Sequence, residues 1–127
     1  MNDNTDRLAR SRHELAAARH LAAGRFRAQA ISRAYYAAFY AAEVALAELG
    51  ETRSRHSGVV AALGQLLVRP GTLDPDAGRL LRSLFERRAR ADYDEDDEPD
   101  DDDAQAAIDD AAHVVETIDR WLAERGR

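Results

Sequence analysis

The chemistry-bearing residues of this chain fall in three short stretches. Three of its four tyrosines, with Phe39, occupy six consecutive positions inside the run Ser32-Arg33-Ala34-Tyr35-Tyr36-Ala37-Ala38-Phe39-Tyr40-Ala41-Ala42. The fourth tyrosine closes Arg88-Ala89-Arg90-Ala91-Asp92-Tyr93, and His56 stands between Arg55 and Ser57. Arg88 and Asp92 are four residues apart, so on a helix they share a face. As a surface ion pair they contribute only ~0.3 kcal/mol, in the less favourable order for the helix dipole. At a groove, the same pair is a guanidinium oriented by a carboxylate and able to bind phosphate through two parallel hydrogen bonds. Tyr93 is expected beside it. At a helix start, His56 joins a titratable imidazole to Arg55 and to amides with no intrahelical acceptor, a combination that can hold an anion or move a proton.

Several other chemistries are excluded or unsupported. There is no cysteine, so disulfides and thiol catalysis are out. No apolar run approaches the ~20 residues of a membrane helix, and the start, Met1-Asn2-Asp3-Asn4-Thr5-Asp6, lacks the apolar core of a signal peptide. Cytoplasmic residence is the expectation. His13, His20 and His113 have no metal-ligand spacing with one another. Asp92, Asp94 and Asp96 alternate like the start of a calcium loop, but Asp97 stands where the tight turn needs glycine and Asp103 where the closing glutamate belongs. No Ser-His-Asp arrangement, phosphate-binding glycine loop or HExxH motif is present, so neither a metal nor a cofactor is expected.

The net charge of −6 conceals two parts. Nine of the ten residues 94–103 are Asp or Glu, which leaves the rest of the chain at about +3. That stretch reads as a solvated acidic loop. All 18 basic residues are Arg, a bias that accompanies the abundance of alanine in GC-rich coding and is weak evidence of nucleic-acid binding by itself.

What must position these groups is helix. A chain of 127 residues is one domain, 1–127, with room for a real core. Helical periodicity runs through it and strand signals are nearly absent. A first helix is expected over about residues 5–23, with Leu8, Leu15, Ala18 and Leu21-Ala22 as a thin apolar stripe, ended or bent by Gly24. A second, about 26–49, stops at Gly50, and its Ile31, Tyr35, Ala38, Ala42, Ala45 and Leu49 share one face. Arg33, Tyr36, Tyr40 and Glu43 fall on the neighbouring face. So wide an apolar surface suits a central helix or a subunit interface. A third helix is expected over 57–68, and a fourth after the cap-and-start pair Asp74-Pro75, reaching about Tyr93. A fifth follows over about 104–124, with Ile108, Val115, Ile118 and Trp121 facing inward. The fold class is all-α: an antiparallel bundle of four to five helices.

Taken together and in order, the tyrosine-rich helix, the Arg55-His56-Ser57-Gly58-Val59 segment and the Arg88-Ala89-Arg90-Ala91-Asp92-Tyr93 ending resemble the HEPN domain superfamily. The branch is that of small stand-alone prokaryotic HEPN proteins (UPF0332-like), and the similarity runs from about Ala9 to Leu122. The resemblance implies a helical bundle that forms a homodimer with a cleft between subunits. It implies a gene beside a small nucleotidyltransferase, in a toxin–antitoxin or defence module. Active members are metal-independent ribonucleases in which an Arg, followed four to six residues later by His, lines the cleft. In one branch a Tyr just after that His accepts adenylyl groups.

Here the chain departs from the pattern. No His follows Arg87, Arg88 or Arg90 at that spacing, and the one pair with the right spacing, Arg7 and His13, lies on the first helix. Arg88 is carried over as the family's Arg and Tyr93 as the candidate for modification. His56 and Asp92 join Arg88 as candidate catalytic residues, His56 for the proton and Asp92 for orientation. Arg33, Tyr36, Tyr40 and Arg55 are expected to bind RNA or a nucleotide. The expectation is an RNA-binding, RNA-cleaving component paired with a nucleotidyltransferase; the alternative is a non-catalytic subunit that holds a nucleotide or a partner.

Overall fold

The computed structural model describes residues 6–93, 96 and 98–126. Its elements are α1 (Ala9–Ala23), α2 (Arg27–Glu48), α3 (His56–Leu63), α4 (Pro75–Tyr93) and α5 (Asp101–Arg125), with a short π-helical segment, Gly64–Val68, continuing α3. No strand occurs among the described residues, and no described helix is long and apolar enough to cross a membrane.

The centre of the bundle is α2, which packs against all four of the other helices. Its alanines explain how. Ala30, Ala34, Ala37, Ala38, Ala41, Ala42 and Ala45 are all fully enclosed, and a methyl side chain lets a neighbouring backbone come close while still filling its share of volume. Ile31, Phe39 and Leu46 complete the buried surface with Tyr35. α1 adds Leu15 and Ala18, α4 adds Leu81 and Leu84, and α5 adds Ile108, Val114, Ile118 and Trp121.

The ends of the helices obey local rules, with instructive departures. α2 stops at Gly50, whose φ of +76° suits glycine. There the Gly50 and Glu51 amides donate to the Ala47 and Leu46 carbonyls, both at 2.9 Å, the paired C-terminal bonds of a Schellman turn. α1 ends before Gly24, as the sequence suggests, but the left-handed residue is Arg25, at φ +66°. The expected start of α1 at Thr5 lies outside the described residues; residues 6–8 form a turn and the helix begins at Ala9. The expected third helix is α-helical only to Leu63. The wider π turn buries Leu67 and sets Val68 against α4, so close that a Cβ at Gly78 would lie 2.9 Å from Val68 Cγ2.

The acidic stretch 94–103 is not a loop throughout. Asp94, Glu95 and Asp97 lie outside the described residues, but Asp101, Asp102 and Asp103 form the first turn of α5. Asp100 caps that helix: its Oδ1 accepts from the Asp103 amide at 2.8 Å while Asp103 Oδ2 accepts from the Asp100 amide at 2.9 Å. Carboxylates in the first turn also face the positive end of the helix dipole, so charges that repel in a loop are stabilising here. At the start of α4, Asp74 Oδ1 accepts from the Asp76 amide at 2.9 Å, one residue before which Pro75 opens the helix.

Two stability changes are expected. Ala41→Leu adds three methylene equivalents where no volume is free and is expected to cost about 1–3 kcal/mol, read by urea denaturation. Arg25→Gly relieves a left-handed non-glycine residue and is expected to stabilise by roughly 1 kcal/mol in the same assay.

Candidate functional site

α2 turns its aromatic residues toward α3 and α4 on one side and toward α1 on the other. Tyr35 is fully enclosed, with ring centroids 5.1 Å from Tyr36, 5.7 Å from Phe39 and 5.9 Å from Phe85 of α4. Tyr36 and Tyr40, one helical turn apart, have centroids 5.7 Å apart and are only half-buried. His56, the first residue of α3, closes the top of this cluster. Its ring stacks on Phe39 at 4.1 Å, meets the edge of Tyr36 at 5.6 Å, and its Nδ1 lies 2.9 Å from the Tyr35 hydroxyl oxygen.

Three guanidinium groups from three helices lie on this ladder. Arg88 of α4 donates from Nη2 to the Tyr36 hydroxyl at 3.2 Å, and its Cζ is 5.4 Å from the Tyr36 centroid and 5.6 Å from that of Tyr35. Arg33 of α2 lies 4.7 Å over the Tyr36 ring. Arg10 of α1 covers Tyr40 at 3.7 Å and donates to its hydroxyl at 2.8 Å. Planar, weakly hydrated guanidinium groups stack on tyrosine faces while their edges remain able to donate. Carboxylates hold two of them: Glu14 accepts from Arg33 Nη1 through both oxygens at 3.1 Å, and Asp92 Oδ2 stands 3.0 Å from Arg88 Nε. That second contact is close without being a directed bond, since Arg88 Nε is buried with no hydrogen-bond acceptor aligned to it. Asp92 therefore acts on Arg88 through charge more than through orientation of a single N–H. Between Arg33 and Asp92 opens a cleft of about 460 Å³, with Ala28, Ser32 and Ala91 along its walls, a size within the range of small-ligand sites.

The electrostatics follow from burial and from Arg88. The Tyr35 phenol is pushed well above its ordinary range by burial, which outweighs the opposing pull of Arg88. The His56 imidazole is pushed down, chiefly by burial and then by repulsion from Arg88, with Glu43 acting the other way.

The structure thus brings Arg33, Tyr36, Tyr40, His56, Arg88 and Asp92 into one neighbourhood. It separates two residues from them. Tyr93, the last residue of α4, is 78% exposed and takes part in none of the ring contacts among the described residues, so it does not sit against Arg88 as the sequence suggests. It lies five helical positions beyond Arg88, off the face shared by Arg88 and Asp92, and α4 ends there. Arg55 precedes α3 in extended conformation, exposed and without an ion pair or hydrogen bond from its side chain among the described residues. Arg10, Glu14 and the Tyr35 hydroxyl were not apparent as site groups. Arg10 and Glu14 do share a face of α1 at i,i+4 spacing, but nothing in the sequence says that α1 docks this face on the tyrosines. Away from the ladder, Asp74, Asp76 and His113 hold one potential ligand atom each within 4.8 Å of one another. Asp76 is already engaged by Arg79 at 2.8 Å and the group abuts the positive end of α4, so it is a poor cation site.

A group whose folded-state pKa is depressed and which is a base makes stability pH-dependent in a definite direction. Above the ordinary value of about 6.5, His56 is neutral in both states and its full contribution is present. As pH falls below that value the unfolded chain takes up the proton first, so stability is lost as the pH moves down toward the folded pKa. The expected result is a stability loss between pH 7.5 and 5.5 that is smaller in His56→Gln than in the parent, measured by urea denaturation across pH; equal slopes would contradict it.

The HEPN domain family model matches residues 5–121, nearly the whole bundle and every residue of the ladder. A Methanocaldococcus jannaschii protein named "Putative toxin MJ0605" is 31% identical over 110 residues, covering 87% of this chain and 81% of the relative. A UPF0332 protein of Thermotoga maritima is 31% identical over 98 residues, 77% of this chain and 74% of the relative. The UPF0332 protein glr0978 of Gloeobacter violaceus is 31% identical over 123 residues, 96% of this chain and 98% of the relative. With a five-helix bundle, the tyrosine helix at its centre and Arg88 laid on it, the chain belongs to the HEPN domain family.

Proposed function

We propose that this protein is a toxin-like HEPN component of a prokaryotic two-component module, and that its tyrosine–arginine ladder binds RNA through backbone phosphates and stacked bases. The observation that carries this reading is the placement of three guanidinium groups on the half-buried faces of Tyr36 and Tyr40 and around Tyr35. Single-stranded nucleic acid is held by this chemistry: cations along the backbone and aromatic faces for bases. The name borne by the Methanocaldococcus relative supports the toxin assignment. A homodimer that joins two such grooves, a nucleotidyltransferase partner and residence in the cytoplasm belong to the same proposal. In it Tyr93, exposed at the end of α4, is the residue open to modification by that partner.

Binding requires only donors and rings. Cleavage requires more: a group must take the 2′-hydroxyl proton while that oxygen attacks phosphorus, and charge on the phosphoryl oxygens must be neutralised. Arg88 suits the second task, and His56 is the imidazole nearest the groove for the first. A second reading, a non-catalytic binding subunit, is favoured by the absence of any His downstream of Arg88 in α4.

The test is a fluorescence-anisotropy titration of the purified protein with short single-stranded RNA, followed by electrophoresis of the same samples. Arg88→Ala is expected to weaken binding about tenfold and to flatten its salt dependence, because one phosphate contact of ~1.5 kcal/mol is lost. Tyr36→Ala is expected to lose a stacking platform worth roughly 1–3 kcal/mol. Cleavage that disappears in Arg88→Ala supports the ribonuclease; RNA that the parent binds and leaves intact supports the non-catalytic subunit. No binding by the parent at low salt would remove RNA from the proposal.

A further inference from the structure

The proton that decides what His56 can do is located by asking where the Tyr35 hydroxyl hydrogen goes. Tyr35 is fully enclosed, and its oxygen has one hydrogen-bond partner among the described residues, His56 Nδ1 at 2.9 Å. Around it stand Tyr36, Phe39 and Phe85, which offer ring contacts, and Arg88, which has donors only. If Nδ1 carried the proton and donated to the phenol, the phenol hydrogen would be buried with no acceptor, at a cost of about 1–3 kcal/mol. If Tyr35 donates to Nδ1, both groups are satisfied. A neutral imidazole has one N–H, so it must then be on Nε2. That nitrogen has no hydrogen-bond partner among the described residues and is not fully enclosed. Adding a second proton would set Nδ1–H against the phenol hydrogen, next to Arg88 of α4. On α2, Glu43 alone pulls the other way.

We infer that Tyr35 holds His56 as the neutral Nε2–H tautomer, so that the imidazole offers a hydrogen-bond donor, and no base, to an RNA phosphate bound beside Arg88 and the half-buried Tyr36 ring. The inference rests on the RNA-binding reading above and sharpens it. A nitrogen that already bears its proton has no lone pair for the 2′-hydroxyl, so the groove grips a phosphodiester without opening it. Tyr35 is then a positioning residue, acting on the ligand only through His56.

The test has two independent arms on the full chain. In the first, long-range proton–nitrogen correlation spectra of histidine-labelled protein at pH 7.5, assigned by the loss of signals in His56→Gln, report the tautomer directly. A pyrrole-type Nε2 with a pyridine-type Nδ1 is expected, shifting toward a tautomer mixture in Tyr35→Phe. A pyrrole-type Nδ1 in the parent overturns the inference, and this holds even if Tyr35→Phe does not fold. The second arm titrates a short fluorescein-labelled single-stranded RNA. His56→Gln, whose amide can place an N–H near the Nε2 position, is expected to bind within about twofold of the parent. His56→Asn, whose amide reaches only the Nδ1 position, is expected to bind about tenfold more weakly, the loss of one charge-assisted bond. Equal losses in both, or RNA cleavage by the parent that vanishes in His56→Gln, overturn the donor role. A parent that does not bind this RNA overturns the choice of ligand, while the spectrum still decides the tautomer separately.

Discussion

Everything in this bundle depends on how closely its neighbours approach α2. Seven enclosed alanines on that helix leave no side-chain bulk between α2 and the helices around it. Volume must then be filled at the few positions that carry large groups, and several of those are aromatic. The rings at 35, 36, 39 and 40 are consequently both wedge and surface. Tyr35 and Phe39 are buried as core, while Tyr36 and Tyr40 keep a face in reach of solvent. A helix that is apolar nearly all round belongs at a bundle centre, and here that position is what places four phenol and phenyl rings where α1, α3 and α4 can each lay a polar group on them.

The polar groups are arranged so that little is wasted on mutual neutralisation. Arg33 is hydrogen-bonded by Glu14 through Nη1 alone, and Asp92 balances the charge of Arg88 without a directed bond to it, so guanidinium N–H groups remain on both. Arg10 spends one donor on the Tyr40 hydroxyl. Lysine could not replace these residues, because an ammonium is a strongly hydrated point charge without a planar face to stack. The acidic stretch, by contrast, is kept structurally useful by leading into α5, where three aspartates meet a helix N-terminus rather than one another. The Arg27–Asp101 pair, 2.6 Å between Nε and Oδ1, then ties that helix start to the start of α2.

Much of this architecture could be read from the chain before any coordinates. Gly50 and the Asp74-Pro75 pair act within one turn of where they stand, so their effect is local and legible. The same is true of the periodic apolar residues of α4 and α5. Errors arose where a neighbour overrides a local preference. The π turn at Gly64–Val68 answers to the close approach of Val68 and α4, not to its own composition. The acidic run read as loop because its repulsion was counted without the helix dipole that offsets it.

For the site, residue types and i,i+4 spacing were enough to nominate Arg88, Asp92, His56 and the two exposed-face tyrosines, since these are properties of composition and helical geometry. Which groups actually meet is a matter of helix crossing. Arg10 reaches Tyr40 across 30 residues of chain, Arg88 reaches Tyr36 across 52, and Tyr35 reaches His56 across 21. No periodicity within one helix encodes such distances. The residue that governs the imidazole looked like core because it is core, and only the neighbour at its hydroxyl turns a packing residue into one that sets where a proton resides.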